Sequence, residues 1–550
     1  MTNAEEKKRP AGGQGANHGL QSLEALEGVI SGAGAPFAVS VLQALRDHRE
    51  YQAAMDLMER WGDRFDHDAD FIRVRRDILG KLGQITESLV LANTLVDHGH
   101  ITAVSLVTLE GRVKELHGVR PRIQGPHRPV EPISSRRILH LVKESRPYLS
   151  NGFTSRSHYN FLAEKAAGLS PVVMTEPGFP RSVVDGPFPT TRQVDGVQHV
   201  HLDLGAANLK GMPVDRYLQL FADMAYSRVR EIRPAVIHVS SGRRGFETAL
   251  VALALREKTG IPVAYEVRSF FESNWTDDVR YEAQGEIYTR RMERELECMR
   301  AADMVLTIGE TMKRELSSRG IPAEKIGVIP NGADCERFTP RSRPVELAEF
   351  LGIGTSPTIG YVSNMDHARE SQETLIRATA ELKRQGRTEH CVLVGDGSRR
   401  AELEALANSL SVAERVHFVG RVDHGRIMDY YALIDVFVVP RILERAAIYV
   451  TPLKPFEAMA MRLPVVVSNV PALTEIADPP RRGWSFVAGD PESLAQVITG
   501  VRSDPAEMAR RAQSGFDWVR EQRQWKHNGK RYRDYFAHLT DVTGAPGERD

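Results

Sequence analysis

The sequence of 550 residues is poor in cysteine, with only Cys298, Cys335 and Cys391, and these three show no metal-binding spacing. So few thiols argue against a disulfide scaffold and fit a reducing cytoplasm. Long apolar runs are also missing, since no stretch approaches the roughly 20 residues that a membrane-spanning helix needs. The polar N-terminus lacks the apolar core of a secretory signal. We therefore expect neither a leader nor a transmembrane segment.

An excess of one charge sign is missing as well. Lys and Arg together number 72, and Asp and Glu together number 72, so the formal net charge is zero. This balance gives no support to nucleic acid or an anionic membrane as the main partner. The apolar share of 41% and the charged share of 26% are ordinary for a globular protein. The length predicts two or three domains.

A helical module is predicted for residues 34–118. Its apolar residues recur at helical spacing, and Tyr51 and Trp61 have counterparts 34 positions later at Ile85 and Leu95. A period of 34 residues is typical of tetratricopeptide helix pairs, which stack to bury their apolar faces. A generic helical bundle explains the same pattern almost as well. In either form, we expect the module to mediate self-association or docking of a protein partner.

Two segments flanking this module lack a core-forming pattern. Residues 1–33 are rich in Gly, Lys and Glu, and they are predicted to form a disordered arm. Residues 119–135 contain four prolines, which remove backbone donors and disfavour helix before them. This second segment is therefore predicted to be an extended linker.

From residue 136 onward, short apolar runs alternate with longer helical patterns. Apolar strands separated by helices are typical of parallel sheets covered on both faces. Prolines near residue 340 divide the runs into two series, which predicts an α/β fold with two Rossmann-like, doubly wound domains, 136–340 and 341–515. Ligands are then expected at the carboxyl ends of the strands, in the cleft between the domains. The predicted strands are 138–142, 235–239, 262–267, 304–308, 358–362, 391–394, 416–419, 436–439 and 464–467.

The last segment, 516–550, is predicted to be a terminal helix followed by a tail. The helix spans about 516–539 and carries aromatic residues along one side, among them Trp518, Trp525 and Tyr532. Two placements are open. The helix either crosses back to brace the first Rossmann-like domain or caps the second.

The most informative segment for function is 434–476. A buried strand ends just before Arg441, and a helix beginning near Pro455 carries Glu457 in its first turn. The free amides of such a helix start bind a diphosphate, and Lys454 adds a cation. The carboxylate of Glu457 can accept hydrogen bonds from the two hydroxyl groups of a ribose.

The motifs of this segment are VVPR at 438–441, VTPLKPFEAMA at 450–460 and LTEI at 473–476. In this order they resemble the nucleotide-sugar site of the retaining glycosyltransferases of family 4, which have the GT-B fold. The resemblance covers about 136–515. It extends to YLSNGFTSRSHYNF at 148–161, PVAYEVRSFFE at 262–272, VIPNGADCERFTP at 328–340, VGDG at 394–397 and VGR at 419–421.

The resemblance implies that a hexosyl group passes from a nucleotide-diphosphate sugar to a hydroxyl of a glycan, a lipid-linked molecule or another acceptor. It implies an acceptor site on the first Rossmann-like domain and a donor site on the second. It also implies retention and no metal or other cofactor, because helix dipoles and cations neutralise the departing diphosphate. The expected setting is the assembly of a surface polysaccharide or glycolipid in the cytoplasm, at the inner membrane face where the acceptor is lipid-linked.

The same resemblance assigns roles to individual residues. The expected catalytic residues are Arg441, Lys454 and Arg268. The expected nucleotide-sugar-binding residues are Glu457, Tyr449, Pro455, Phe456, Leu473, Glu475, Gly395 and Asn364. The expected acceptor-side residues are Gly152, Arg156 and Glu272.

The sequence departs from the family pattern at several of these positions. Tyr449 stands where the family has the first of two glutamates, and the nearest acid is Glu444. Asn364 and Glu370 stand nearest to the family's Arg and Lys, and the first loop has one glycine, Gly152, instead of a pair. Tyr449 therefore bears on the choice of donor and on turnover.

Two other functions fit the same architecture. A catalytically weakened protein would act as a nucleotide-binding or scaffold subunit of a glycan-assembly complex. A nucleotide-sugar epimerase would act without an acceptor, although the motif at 450–460 argues against it. His238 lies inside an apolar strand, where we expect a core histidine rather than a catalyst.

Overall fold

The computed structural model describes residues 34–542 except 206–208, 210, 243–244, 277, 279 and 424. The predicted arm, 1–33, lies outside the described residues. Contacts between Cα atoms divide the chain into two compact units. The first comprises Met1–Val119, Gly211–Arg216 and Asn274–Arg290, and the second comprises Arg120–Lys210, Tyr217–Ser273 and Arg291–Asp550.

The first unit contains the predicted helical module, which is confirmed. Its α1 and α3 begin 34 residues apart, and so do α2 and α4. The first four helices each bury an apolar stripe, with Leu42, Leu57 and Ile78 almost fully enclosed. The tetratricopeptide character and the role in association stay predictions. The elements are α1 (Ala35–Asp47), α2 (Tyr51–Phe65), α3 (Ala69–Lys81), α4 (Ile85–Asp97), a 3₁₀ turn (Ala103–Leu106) and α5 (Val107–Leu116).

Two short segments from later in the chain, Gly211–Arg216 and Asn274–Arg290, complete this unit, and no sequence pattern predicted them. The ring of Tyr281 lies 5.2 Å from that of Tyr51, and the Arg280 guanidinium donates to the carbonyl of Arg49 at 2.7 Å. The unit is therefore discontinuous in sequence, unlike the predicted span of 34–118. Single-chain periodicity cannot reveal such additions because each segment is too short to show a period.

The second unit contains two parallel sheets, as the sequence predicted. The first sheet has eight strands in the order β3-β4-β2-β1-β5-β6-β7-β8, with β3 antiparallel to β4 and every other pair parallel. Its elements are β1 (Arg137–Val142), α6 (Gly152–Ala166), β2 (Ser170–Thr175), β3 (Thr191–Val194), β4 (Val197–His201), α7 (Val214–Ile232), β5 (Val236–Ser240), α8 (Glu247–Thr259), β6 (Val263–Val267), α9 (Gly285–Ala301), β7 (Met304–Thr307), α10 (Glu310–Ser318), a 3₁₀ turn (Ala323–Lys325) and β8 (Ile326–Val328).

The second sheet has six parallel strands in the order β11-β10-β9-β12-β13-β14. Its strands β9, β12 and β13 are completely buried, which matches their continuous apolar sequences. Its elements are α11 (Val345–Phe350), β9 (Thr358–Val362), a 3₁₀ turn (Ala368–Glu370), α12 (Gln372–Arg384), β10 (His390–Val394), α13 (Arg400–Ser409), a 3₁₀ turn (Ala413–Arg415), β11 (Val416–Gly420), α14 (Ile427–Leu433), β12 (Val436–Val439), α15 (Arg445–Tyr449), α16 (Lys454–Ala460), β13 (Val465–Ser468), α17 (Pro471–Ala477), β14 (Trp484–Phe486) and α18 (Pro491–Ser503).

The sequence missed five strands: β2, β3, β4, β8 and β14. Strand β3 is a polar edge strand with no buried residue, and β8 and β14 have only three residues each. Strand β4 has the sequence VQHVH, in which two histidines occupy buried positions. Short or polar strands give too few apolar residues for a period to be recognised.

The last two helices of the described residues are α19 (Pro505–Gln522) and α20 (Lys526–Val542), where the sequence predicted one, and the predicted tail after Val542 lies outside those residues. Trp518 of α19 stacks on Phe456 of the second Rossmann-like domain, with ring centroids 5.8 Å apart. Helix α20 packs on α6 of the first, and its Tyr532 and Phe536 join that domain's apolar core. Both placements that the sequence left open therefore occur, one in each helix.

The proline-rich segment, 119–135, contains neither helix nor strand. It is nevertheless bound along its length to the first Rossmann-like domain. The Lys258 ammonium donates to the carbonyls of Gln124 and Pro126 at 2.5 and 2.7 Å, and the Arg233 guanidinium donates to that of Glu131 at 2.7 Å. These bonds fix an extended backbone that has few partners of its own.

The described part of the chain lacks two features. No helix there is both long enough and apolar enough to cross a lipid bilayer. No group of three or more His, Cys, Asp or Glu side chains there is arranged to hold a metal ion. The metal-free mechanism stays a prediction, since it concerns the reaction rather than the protein groups alone.

Candidate functional site

A cavity of about 220 Å³ lies where the carboxyl ends of the two sheets face each other. The first Rossmann-like domain contributes the start of α6 and the residues that follow β6, β7 and β8. The second contributes the residues that follow β9 and β12. The cavity is lined by Gly152, Phe153, Arg156, Arg268, Ser269, Ile308, Asn331, Arg369, Arg441, Ala446, Val450, Thr451, Pro452 and Leu453.

The lining of this cavity is cationic. Four of the lining residues are arginines, Arg156, Arg268, Arg369 and Arg441, and none is an Asp or Glu. Gly152 is the first residue of α6, so the positive end of a 15-residue helix reaches the cavity as well. Planar guanidinium groups and helix-start amides are the groups that bind phosphate in proteins. The cavity therefore suits a diphosphate.

Two of the arginines are held from behind by one buried carboxylate, Glu266 at the end of β6. Arg268 donates to Oε2 of Glu266 from Nη2 at 2.8 Å and from Nε at 3.1 Å. Arg156 donates to Oε1 of Glu266 and to the Asn331 side chain. Burial alone would raise the pKa of Glu266, but the charges of Arg268 and Arg156 hold that pKa well below its usual value. Glu266 therefore orients both guanidinium groups.

Arg441 is held in the same way by Glu370. Its Nη2 and Nε donate to the two oxygens of that carboxylate at 2.8 and 3.1 Å, and its Nη1 donates to the Val450 carbonyl. The Tyr361 hydroxyl donates to Glu370 from below. Although burial opposes the charge on Glu370, Arg441 lowers the pKa of that carboxyl group. The ion pair fixes Arg441 beside the cavity that it lines.

Lys454 and Glu457 lie in the first turn of α16, as predicted, and they bind each other. The ammonium of Lys454 and the hydroxyl of Tyr431 both donate to Oε2 of Glu457, at 2.9 and 2.6 Å. One third of the Lys454 side chain remains exposed. Pro455 and Phe456, from the same turn, are buried and serve as core.

Tyr449 packs against the first Rossmann-like domain. Its ring meets the ring of Phe270 edge-on at a centroid distance of 5.4 Å, and the Arg445 guanidinium lies 5.5 Å from the Tyr449 centroid. Arg445 also donates to Glu272 at 2.7 Å, as Arg319 does at 3.3 Å. Tyr449 and Glu272, predicted on the donor and acceptor sides, thus share one contact between the two Rossmann-like domains.

Glu475 and Leu473 do not line the cavity. The carboxylate of Glu475 accepts hydrogen bonds from the amides of Glu310 and Thr311 at 3.0 and 2.7 Å, so it caps the start of α10. Leu473 is fully buried in the core of the second Rossmann-like domain. Both residues support the cleft from outside the cavity.

Gly395 and Asn364 lie in neighbouring loops at the carboxyl edge of the second sheet. Gly395 has φ +136°, and a Cβ atom there would lie 1.9 Å from the Ser363 carbonyl oxygen, so only glycine fits. The exposed side chain of Asn364 donates to the Asp366 carboxylate at 2.7 Å. These loops are next to the strand ends but do not line the enclosed cavity.

Sequence reasoning missed three residues that position the cavity wall: Glu266, Asn331 and Thr451. The Asn331 amide donates to the carbonyl and the hydroxyl of Thr451 at 2.7 and 3.2 Å, which joins the two Rossmann-like domains beside Arg156. A signal existed for Glu266, because a carboxylate inside the apolar run AYEV must have buried partners. Arg268 lies two residues away in the same motif, whereas Arg156 and Tyr532 come from distant parts of the chain and could not be identified.

Replacing Gly152 by alanine should leave the fold intact and weaken ligand binding in the cavity. The added Cβ would lie 3.9 Å from Leu453 Cδ1, an ordinary contact, and Gly152 has no positive φ. Unfolding stability should stay level or rise by up to about 1 kcal/mol. The methyl group would occupy space beside the first amides of α6, so donor KM should rise. Equal donor KM in both proteins would show that no ligand approaches this helix start.

The buried His238 predicts a dependence of stability on pH. His238 shares a 2.8 Å hydrogen bond with His140, and burial lowers its pKa to about 4. In the unfolded chain the imidazole has its ordinary pKa of about 6.5, so between pH 6.5 and 4 only the unfolded state is protonated. The free energy of unfolding should therefore fall as pH drops through this range, by up to about 3 kcal/mol. The free energy of unfolding, measured with urea at several pH values in this range, should depend less on pH in His238→Gln than in the wild type. An equal pH dependence in both proteins would show that His238 is not its cause.

Two Rossmann-like domains with a cation-lined cavity between their strand ends are the architecture of the GT-B fold. Residues 356–504 match the family model described as "Glycosyl transferases group 1", and residues 162–332 match "Glycosyl transferase 4-like domain". Together the two matches cover more than half of the chain. The chain belongs to glycosyltransferase family 4.

Individual relatives share about a quarter of their aligned residues with this chain. A GDP-mannose-dependent alpha-(1-6)-phosphatidylinositol monomannoside mannosyltransferase of Mycolicibacterium smegmatis is 27% identical over 233 residues, which are 42% of this chain and 61% of that protein. The chain therefore spans about three fifths of that relative's length. An alpha-D-kanosaminyltransferase of Streptomyces kanamyceticus is 25% identical over 298 residues, which are 52% of this chain and 73% of that enzyme.

Solved structures show the same fold. The sucrose-phosphate synthase of Thermosynechococcus elongatus aligns with a TM-score of 0.61 at 21% identity, covering 74% of this chain and 100% of that one. HepE of Anabaena, in complex with UDP, aligns with a TM-score of 0.55 at 16% identity, covering 73% of this chain and 100% of that one.

Proposed function

We propose that the protein is a retaining hexosyltransferase that uses a nucleotide-diphosphate sugar as donor and needs no metal. The observation that carries this proposal is the cavity between the two sheets, lined by four arginines and no carboxylate. A metal-free enzyme needs fixed positive charge where the diphosphate departs. Arg441 and Arg268, each held by a buried carboxylate, supply it.

The proposed reaction breaks the bond between the anomeric carbon and the diphosphate oxygen. The acceptor hydroxyl forms the new bond on the same face of the sugar, and its proton passes to the departing diphosphate. Charge grows on that diphosphate as the bond breaks, so Arg441, Arg268 and the start of α6 stabilise the transition state more than the ground state. Lys454 and Glu457, on one helix turn, are assigned to the phosphate and the ribose.

A second, smaller cavity of about 60 Å³ is the proposed place of the accepting hydroxyl. It shares Phe153 and Arg268 with the cationic cavity, and the hydroxyls of Ser157, Ser240 and Ser241 line it. Hydroxyl and aromatic groups together suit a sugar. The proposed acceptor is a glycan or lipid-linked molecule, and the proposed setting is assembly of a surface glycan or glycolipid. We place the reaction in the cytoplasm, peripherally at the membrane for a lipid-linked acceptor.

The test measures nucleotide binding through thermal stability. UDP, GDP and ADP, and then their sugars, are added to the full chain and to Glu457→Ala and Lys454→Ala. Ligand at about 100 times its dissociation constant should add roughly 2.7 kcal/mol of stability. We expect one nucleotide to stabilise the protein, and both variants to lose that gain.

The matched control is Glu346→Ala, which removes an exposed carboxylate on α11 and should keep the full gain. Product formation then separates an enzyme from a scaffold subunit. A protein that binds nucleotide yet releases no glycosylated product would be a scaffold, and Tyr449, in place of a family glutamate, would be the first residue to change. No stabilisation by any nucleotide would contradict the proposed donor site.

A further inference from the structure

A second polar cluster lies on the same edge of the first sheet, towards β3. We call Arg146, Tyr148, Arg192, His199 and His201 the histidine–arginine cluster. His199 and His201 are alternate residues of β4 and share one face of the sheet, and Arg192 of β3 is the direct neighbour of His199. Arg146 and Tyr148 come from the loop after β1, and the Arg192 guanidinium lies 5.3 Å from the Tyr148 ring centroid.

Each member of this cluster has a buried polar atom without a hydrogen-bond partner among the described residues. These atoms are Nε of Arg146 and Arg192, the hydroxyl of Tyr148, and Nε2 of His199 and His201. Both histidines are only 1% exposed. Buried polar atoms are almost always paired, because each unpaired one costs about 1–3 kcal/mol. The Tyr148 ring lies 5.5 Å from that of His201, and the His201 ring lies 6.5 Å from that of His199, so at least four of these residues are neighbours and indicate a site for a ligand.

The ring orientation of both histidines is fixed. Nδ1 of His199 lies 3.2 Å from the Ser145 hydroxyl, and Nδ1 of His201 lies 3.0 Å from the Thr175 hydroxyl. These contacts turn both Nε2 atoms away from Ser145 and Thr175. Arg146 is also anchored, since its Nη2 donates to the Ser155 hydroxyl at 2.9 Å. The cluster is therefore held in place before any ligand arrives.

The charges around the cluster are mostly positive. Two guanidinium groups belong to it, and His158 of α6 and His140 of β1 face His199 as well. Burial, together with the neighbouring His201, His158 and Arg192, lowers the pKa of His199 to about 3, and burial together with Arg192 lowers the pKa of His201 to about 4. An anion would reverse this effect, because it favours the protonated imidazole.

Carboxylates lie at the margin of the cluster. Asp195 lies 2.9 Å from Nε2 of His158, and Asp203 binds Arg181 at 2.9 Å. Glu176 is buried directly after β2 and has an interaction of its own. The atoms without partners belong to two guanidinium groups, a phenol hydroxyl and two imidazoles. The first three groups donate hydrogen bonds to an oxyanion at any ordinary pH, and the imidazole Nε2 atoms do so when protonated.

We propose that the histidine–arginine cluster binds a phosphodiester of the acceptor, so that the acceptor is a phosphate-bearing molecule. This inference rests on the proposed transfer reaction. Strands lie about 4.8 Å apart, so two to four spacings, roughly 10–20 Å, separate β4 from the smaller cavity at β1, β5 and β6. The phosphate therefore lies that far from the accepting hydroxyl, as in a glycan or headgroup joined through a phosphodiester.

The first experiment uses dimethyl phosphate as a diester probe and inorganic phosphate as the free ion. Thermal stability of the full chain is measured with each, at constant ionic strength, in the wild type and in Arg192→Gln. We expect dimethyl phosphate to stabilise the wild type, more strongly at pH 6 than at pH 8, and Arg192→Gln to lose this gain. Stabilisation by inorganic phosphate alone, or equal gains in both proteins, would overturn the proposal.

Three further arms separate the possible failures. Arg228→Gln removes an exposed arginine on α7 and should respond like the wild type. Arg192→Gln should still be stabilised by nucleotide, because Arg192 lies outside the donor cavity. If nucleotide does not stabilise even the wild type, the proposed function is rejected rather than this site. In crystals soaked with tungstate, an anomalous peak beside Nε2 of His199 and His201 is expected, and its absence would overturn the site even if Arg192→Gln misfolds.

Discussion

Replacing Arg441 by glutamine is expected to lower kcat/KM by about 10²–10³-fold, the loss that follows removal of one group stabilising transition-state charge. Arg441 lines the cationic cavity and is held by Glu370 through two hydrogen bonds. The variant leaves Glu370 buried without its cation, which costs about 3–5 kcal/mol. Steady-state kinetics with the donor identified by nucleotide binding, and thermal unfolding, measure the two effects.

The double variant Arg441→Gln with Glu370→Gln separates catalysis from folding. It removes both charges of the pair, so most of the lost stability should return. The rate should not return, because the cavity still lacks the Arg441 charge. Recovery of kcat/KM in the double variant would show that Arg441 only supports the fold.

Replacing Glu266 by glutamine is expected to lower stability by about 3–5 kcal/mol, because two buried arginines lose their shared carboxylate. Arg156 and Arg268 have at most 5% of their side chains exposed, and the Tyr532 hydroxyl also donates to Glu266 at 3.2 Å. Donor KM should rise as well, since both guanidinium groups line the cavity. Thermal unfolding and donor kinetics measure these changes.

Two comparisons give this prediction its control. Glu266→Asp keeps the charge and should recover part of the stability and part of the donor affinity. Glu231→Gln removes an exposed carboxylate paired with Arg228 and should change stability by less than about 0.5 kcal/mol. Equal behaviour of Glu266→Gln and Glu231→Gln would mean that the buried network does not hold the two arginines.

The site was only partly readable from the sequence. Arg441, Arg268, Arg156 and Gly152 were named from motifs, and the structure brings all four to one cavity. Glu475 was expected near the nucleotide, yet it caps α10 from 164 and 165 residues away in sequence. A sequence motif indicates where along a strand, helix or loop a residue lies. It does not tell which distant backbone the side chain will meet.

The carboxylates behind the arginines show the same limit. Glu370 was named for its place in a loop, and Glu266 lay inside a quoted motif two residues before Arg268, but Arg441 and Arg156 lie 71 and 110 residues away from these carboxylates. Pairing over such distances is decided when the sheets assemble and the cleft forms. Local propensity and hydrophobic period act over a few turns and carry no information about it.

The sequence by itself determined the fold class, the helical module, the order of the two Rossmann-like domains and the strand ends at which the site lies. Each of these follows from local patterns, in which apolar strands and capped helices repeat along the chain. Tertiary structure alone decided the discontinuous first unit, the break between α19 and α20, and the buried ion pairs of Arg156 with Glu266 and of Arg441 with Glu370. These depend on contacts between residues far apart in sequence. A charge buried by such contacts is costly unless an opposite charge lies beside it, and only the folded chain shows which one does.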